Sequence, residues 1–199
     1  RMDAPTIQAG LMHDVLEDTG TSKQEMAEKF GIEVAELVDG VSKLDKLRFS
    51  SAAAAQAESF RKMLLAMSRD LRVVIVKLAD RVHNMRTLGS MLPSKQYKIA
   101  GETLYIYAPL AHRLGLFAIK TELEDLAFKY EHPEAYNQIK QKIAETEESR
   151  QQIYNTFSKP IVAKLKEMGL EFEMKARVKS IYSIWNKMES KHIPFEEVY

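Results

Sequence analysis

The stretch from Leu71 to Gly89, LRVVIVKLADRVHNMRTLG, decides between two folds. Its β-branched opening, Val73 to Val76, suits a buried strand. Its continuation does not, because Leu78, Val82, Met85 and Leu88 follow at intervals of four, three and three, the repeat of one helix face. The segment therefore reads as a buried helix. Asp80 rides on it, with His83, Asn84 and Thr87 three, four and seven positions later, so one stripe carries four polar groups. An unpaired carboxylate on an otherwise apolar helix is costly. Asp80 thus pairs with a cation of its own helix (Lys77, Arg81 or Arg86), or belongs to a site to which the whole stripe contributes.

Working outward, the helical period dominates, and only 8 glycines and 6 prolines interrupt it. Upstream, a first helix is predicted from about Thr6 to Glu17, ended by Gly20. Ser22 and Glu25 form a capping box for a short second helix ending near Gly31, and a third runs from Ile32 to about Leu47. Ser51 to Met67 reads as another helix, its AAAA run adding propensity. Downstream, a helical segment runs from about Lys95 to Tyr130 with a kink or break near Pro109. Another spans Pro133 to Met168, interrupted around Pro160. After Gly169 the period changes to alternation in LEFEMKARV, with Leu170, Phe172 and Met174 on one face, which predicts a strand. With the helical Ser180 to Lys191, this predicts that the last thirty residues begin an α/β unit. The chain is mainly α, and no low-complexity linker marks a boundary.

The 199 residues, 45% of them hydrophobic, can bury one full core and part of a second. The absence of cysteine excludes disulfides and thiolate sites. No signal peptide or membrane-length apolar run is visible, which favours a cytoplasmic protein with no membrane partner. Lysine plus arginine number 29 against 28 acidic residues, so the charge of +1 gives no footprint for DNA, and an anionic ligand must be held by a local site. The opening RMDAPTIQAG, without an initiator methionine, and the closing FEEVY suggest a chain cut from a longer one.

The second motif is HDVLEDT, His13 to Thr19. On a helix, His13 precedes Glu17 by one turn and Asp14 precedes Asp18 by one turn. An adjacent histidine and aspartate can offer nitrogen and oxygen to one divalent cation, while Glu17 and Asp18 orient or deprotonate a water. Such mixed donors suit Mn²⁺, Fe²⁺ or Zn²⁺ better than Ca²⁺. The competing reading is a solvated acidic end of an apolar helix.

His13-Asp14 with a distant Asp80 resembles the HD superfamily of metal-dependent phosphohydrolases. The surrounding text is closer to one branch, the RelA/SpoT homologues that make and break the alarmone (p)ppGpp. HDVLEDT is followed in order by GVSKL (Gly40 to Leu44), QAESFRKMLLAM (Gln56 to Met67), VKLADRVHNMRTL (Val76 to Leu88) and YAPLAHRLG (Tyr107 to Gly115). The resemblance implies an HD-type helical hydrolase domain with connecting helices over 1–130 and the start of an α/β nucleotidyltransferase-like synthetase domain over 131–199. It implies hydrolysis of the 3′-pyrophosphate of (p)ppGpp with Mn²⁺. His13, Asp14 and Asp80 would be metal ligands, Glu17 and Asp18 would position or activate water, and Asn84 and Thr87 would contact the nucleoside. A further histidine ligand of the family and its guanine-stacking basic residues fall upstream of the first residue here.

RVKSIYSIWNKM, Arg177 to Met188, resembles the opening of the synthetase domain, where Arg177, Lys179 and Lys187 match positions that bind ATP phosphates. An ordinary basic surface is the alternative. The synthetase's catalytic acidic residues lie beyond Tyr199, so no synthesis is expected of this chain. The resemblance also suggests ATP and GDP or GTP as ligands of the synthetase part, and the ribosome as a partner of the full-length parent. His83 reads as a neighbour of the Asp80 site or a core hydrogen-bonding group, His112 as structural, His132 as a turn residue and His192 as surface. Leu126 and Phe128 lie on a helix expected to couple the two sites. Two rival readings remain: an HD phosphohydrolase acting on another nucleotide, and a regulatory module without catalysis.

Overall fold

The computed structural model describes residues 2–45, 65, 69–175 and 177–198, and these contain helices and no strand. It divides into two compact units, Arg1–Tyr130 and Glu131–Tyr199. Among the described residues no helix is long and apolar enough to cross a membrane.

The first unit begins with α1 (Ala4–Leu11), capped by the Asp3 side chain on the Thr6 amide. A short α2 (Val15–Asp18) follows. The capping box at Ser22 and Glu25 starts α3 (Lys23–Phe30), and Gly31, at φ 91°, ends it. Next come α4 (Ile32–Asp45) and α5 (Leu71–Arg86). The predicted helix from Ser51 to Met67 falls outside the described residues, apart from Leu65.

The strand-like opening of α5 is helical because its branched side chains are needed on one face. Val73 and Val76 close a core with Ala9, Met26, Val34, Ala35, Leu37, Val38 and Val41. The Val73 side chain of α5 packs against the Gly40 backbone of α4, where an added Cβ would lie 2.8 Å from Val73 Cγ2.

Beyond α5, a 3₁₀ turn (Leu88–Ser90) leads to α6 (Pro93–Glu102), a π-helical turn (Thr103–Tyr107), α7 (Ala108–Arg113) and α8 (Phe117–Glu131). The predicted irregularity near Pro109 is that π turn. Proline cannot donate to the ladder, and the chain widens before it, with the Ala108 amide reaching Thr103. The full break comes at Gly115, φ 71°, where the Gly115 and Leu116 amides bond back to His112 and Ala111 in a Schellman motif.

In the second unit α9 (Pro133–Glu145) packs on α11 (Ile181–Lys191), which packs on α12 (Phe195–Val198) around Ile139, Ile184, Phe195 and Val198. The long α10 (Glu147–Glu167) buries none of its residues.

Three expectations are corrected. The first helix does not continue to Glu17 but stops at Leu11, and His13 and Asp14 lie in the turn before α2. The interruption expected at Pro160 is at Thr146, whose hydroxyl donates to the Lys142 and Ile143 carbonyls. Pro160 sits inside α10, where it has no amide hydrogen to offer the carbonyl of the exposed Thr156. The strand after Gly169 is absent among the described residues. A strand exists only as part of a pair, and Leu170, Phe172 and Met174 are all exposed.

Candidate functional site

The turn between α1 and α2 is built by side-chain competition with the helical ladder. The Met12 amide doubles back to Gln8 and Ala9, and the Val15 amide reaches only as far as Met12. The Gly10 carbonyl is taken by His13 Nδ1 at 2.9 Å. A carbonyl only accepts, so Nδ1 is the donor, and the neutral ring then carries its lone pair on Nε2. That nitrogen lies 3.1 Å from Asp14 Oδ2 and 3.3 Å from Asp80 Oδ1. Residues 67 positions apart in sequence thus meet at one atom.

Asp80 is held from two turns of its own helix. Lys77 Nζ lies 2.7 Å from Oδ2, and Asn84 Nδ2 donates to Oδ1 at 2.8 Å. Of the three cations weighed from sequence, Lys77 is the partner. Arg81 turns toward Glu102 and stacks over the Tyr107 ring at 4.0 Å, and Arg86 pairs with Glu122. Burial pushes the Asp14 carboxyl above the usual range, helped by the negative neighbours Asp80 and Asp18 and opposed by His13 and Lys77.

One imidazole lone pair aimed at two carboxylates requires a positive charge between them, either a proton on Nε2 or a cation. The donor set of one nitrogen and two carboxylates suits a divalent transition ion. The spacing is that of a hydrogen-bonded cluster, and among the described residues no three histidine or acidic side chains already stand as an ion's ligands would. The donor types fit an ion.

Glu17 and Asp18 are exposed on α2, and the Asp18 amide bonds to the Asp14 carbonyl, keeping it one turn beyond Asp14. With the helix broken, Glu17 no longer shares a helical face with His13. Asn84 belongs to the cluster. Thr87 caps α5, its hydroxyl donating to the His83 carbonyl at 3.1 Å. His83 is exposed, which excludes the core role considered for it. His112 meets Phe117 edge to face, His132 stacks on Trp185 before α9, and His192 caps α11 at the surface.

In the second unit Arg177 is exposed and Lys179 donates to the Val198 carbonyl at 3.2 Å. Lys187 lies well inside α11. Sequence reasoning undervalued Lys77, taking it only as a rival explanation of Asp80. Its position three residues earlier on an apolar face was the signal. Nothing in the periodicity pointed to the Gly10 carbonyl.

Comparison with known proteins adds names to this geometry. A family model for the HD domain matches residues 1–117. The chain is 49% identical over 198 residues to a guanosine-3′,5′-bis(diphosphate) 3′-pyrophosphohydrolase of Vibrio cholerae, all of this chain and 28% of that protein. It is 48% identical over 198 residues to the bifunctional (p)ppGpp synthase/hydrolase SpoT of Escherichia coli K12, again all of this chain and 28% of the relative. A GTP pyrophosphokinase of Myxococcus xanthus is 47% identical over 202 residues, covering 100% of this chain and 27% of its own length. The chain thus spans about 28% of the length of the curated relatives it matches. An HD hydrolase domain implies dependence on a divalent metal ion. With an HD match over more than half its length, around a histidine-aspartate pair that meets a distant aspartate, the chain belongs to the HD-domain family.

Proposed function

We propose that the protein carrying this chain hydrolyses the 3′-pyrophosphate of (p)ppGpp, giving pyrophosphate and GDP or GTP, in the cytoplasm. His13, Asp14 and Asp80 would hold the divalent ion; this mixed donor set suits Mn²⁺, Fe²⁺ or Zn²⁺, and the family resemblance points to Mn²⁺ among them. The observation that carries the reading is the meeting of Asp14 and Asp80 on His13 Nε2. Support also comes from the names of relatives similar along the whole chain. When bound, the ion supplies Lewis acidity toward a phosphoryl oxygen and makes a water more acidic.

The chain's own residues do the rest. Glu17 and Asp18, exposed on α2, would position the attacking water, with one of the two carboxylates taking its proton. Asn84 spends one amide hydrogen on Asp80, leaving its carbonyl oxygen and second hydrogen for the nucleoside. Thr87 donates to its own helix, so it meets the nucleoside as an acceptor.

The relatives named as a synthase and as a pyrophosphokinase favour a second activity for the whole protein. Arg177, Lys179 and Lys187 would then bind ATP phosphates beside a GDP or GTP site, with Lys179 leaving the Val198 carbonyl to do so. The test is pyrophosphate release by the full-length protein from ppGpp and from deoxynucleoside triphosphates, with Mn²⁺. Faster release from ppGpp is expected. A preference for deoxynucleotides replaces the substrate, and no hydrolysis of either favours a regulatory module.

A further inference from the structure

Lys77 is a buried charge for which the hydrolytic reading has no task. The residue is only 6% exposed, on a helix whose other buried residues are apolar apart from Arg81. Its Nζ meets Asp80 Oδ2 at 2.7 Å, while Asn84 donates to Oδ1 at 2.8 Å and that same oxygen faces His13 Nε2 at 3.3 Å. Donors three residues before and four residues after Asp80 thus grip one carboxylate oxygen each. A single donor would leave the carboxylate free to swing about the other; two fix both its plane and which oxygen points out.

Stability does not explain the arrangement. A buried ion pair is on the order of neutral in stability against apolar residues of the same volume, because desolvation cancels the attraction. Its geometry, however, is specific. We propose that Lys77 is a positioning residue, which holds Asp80 Oδ2 so that Oδ1 is the oxygen presented to a divalent ion beside His13 and Asp14. This rests on the metal-site reading above.

Charge and orientation make opposite forecasts for its removal. An ammonium group next to the cluster repels an arriving cation, so its loss should tighten binding if charge decides. If orientation decides, the loss weakens binding by the roughly 10–100-fold typical of groups that hold a metal ligand in place. Lys77→Met keeps the volume and removes the donor. Lys77→Gln keeps a neutral donor on a shorter arm and should fall between.

The experiment titrates the full-length wild type and both variants with Mn²⁺, reading free ion by its electron paramagnetic resonance signal, and melts each protein without metal. The expected result is weaker Mn²⁺ binding by Lys77→Met, partly rescued in Lys77→Gln, at a temperature where the melting curves show each metal-free protein still folded. If Lys77→Met does not fold, Lys77→Gln against wild type carries the same comparison. A wild type that binds Mn²⁺ with variants that bind equally well or more tightly overturns the positioning role alone. A wild type that binds no Mn²⁺ overturns the metal site and this role with it.

Discussion

Helices α5 and α10 both carry apolar positions at helical spacing, and their fates differ. On α5 the apolar face is buried by α1, α4 and the π turn, and Lys77 and Asn84 are spent on Asp80. On α10 no residue is buried, and Ile153, Phe157 and Ile161 are 59%, 69% and 54% exposed. Periodicity therefore reports what a helix offers, not whether the chain supplies the surface to receive it. The charges follow the same division. Asp80 is gripped in a dry environment, whereas the Lys164–Glu167 pair on α10 is open to water and contributes little.

The comparison breaks most sharply at Asp80. Asp80→Ala removes the carboxylate of the buried Lys77–Asp80 pair, and unfolding in urea should show a loss of about 3–5 kcal/mol, with Mn²⁺ binding lost as well. An unchanged midpoint would mean that the Lys77 charge is satisfied without Asp80. Next in size, Leu78→Ala, at a fully buried α5 position, should cost about 2–5 kcal/mol. Phe157→Ala on α10 should stay within about 0.5 kcal/mol, so equal losses in the two helices would erase the contrast.

Gly40→Ala comes third. Its methyl meets Val73 where α4 crosses α5, an overpacking of about 1–3 kcal/mol visible as a lower melting temperature.

The smallest effect is a pH dependence. Burial works against the charge of Asp39, but hydrogen bonds from Lys43 and Lys23 outweigh it and hold the carboxyl below its ordinary value of 3.8. Folding lowers this pKa, so the contribution is complete above the ordinary value and vanishes as pH falls through the folded one. Asp39→Asn should remove that acid-side slope, so the variant melts below wild type at pH above the ordinary value, by under about 1 kcal/mol, and the two converge as pH falls through the folded pKa.

Much of this was legible in the sequence because local rules and tertiary demands agree. The Ser22–Glu25 capping box, the glycine stop at Gly31 and the helical character of Leu71 to Arg86 all follow from spacing. The meeting of His13 with Asp80 was legible only through family resemblance, since no local signal joins positions so far apart. Where a side chain competes with the backbone, periodicity misleads. His13 takes the Gly10 carbonyl and moves the HD pair into a turn, and the Thr146 hydroxyl marks the break that Pro160 does not make. The alternation after Gly169 has the period of a strand, but Leu170, Phe172 and Met174 are exposed and no strand forms among the described residues. Thr87 is committed to its own helix through the His83 carbonyl, and Asn84 spends one amide hydrogen on Asp80 of the same helix.

The central claim is that His13, Asp14 and Asp80 form one divalent-metal site, and anomalous diffraction from crystals of the full-length protein soaked in Mn²⁺ tests it most directly. The account predicts a manganese peak within coordination distance of His13 Nε2 and of one oxygen each from Asp14 and Asp80. A peak elsewhere, with His13 Nε2 still in direct contact with both carboxylates, would contradict it.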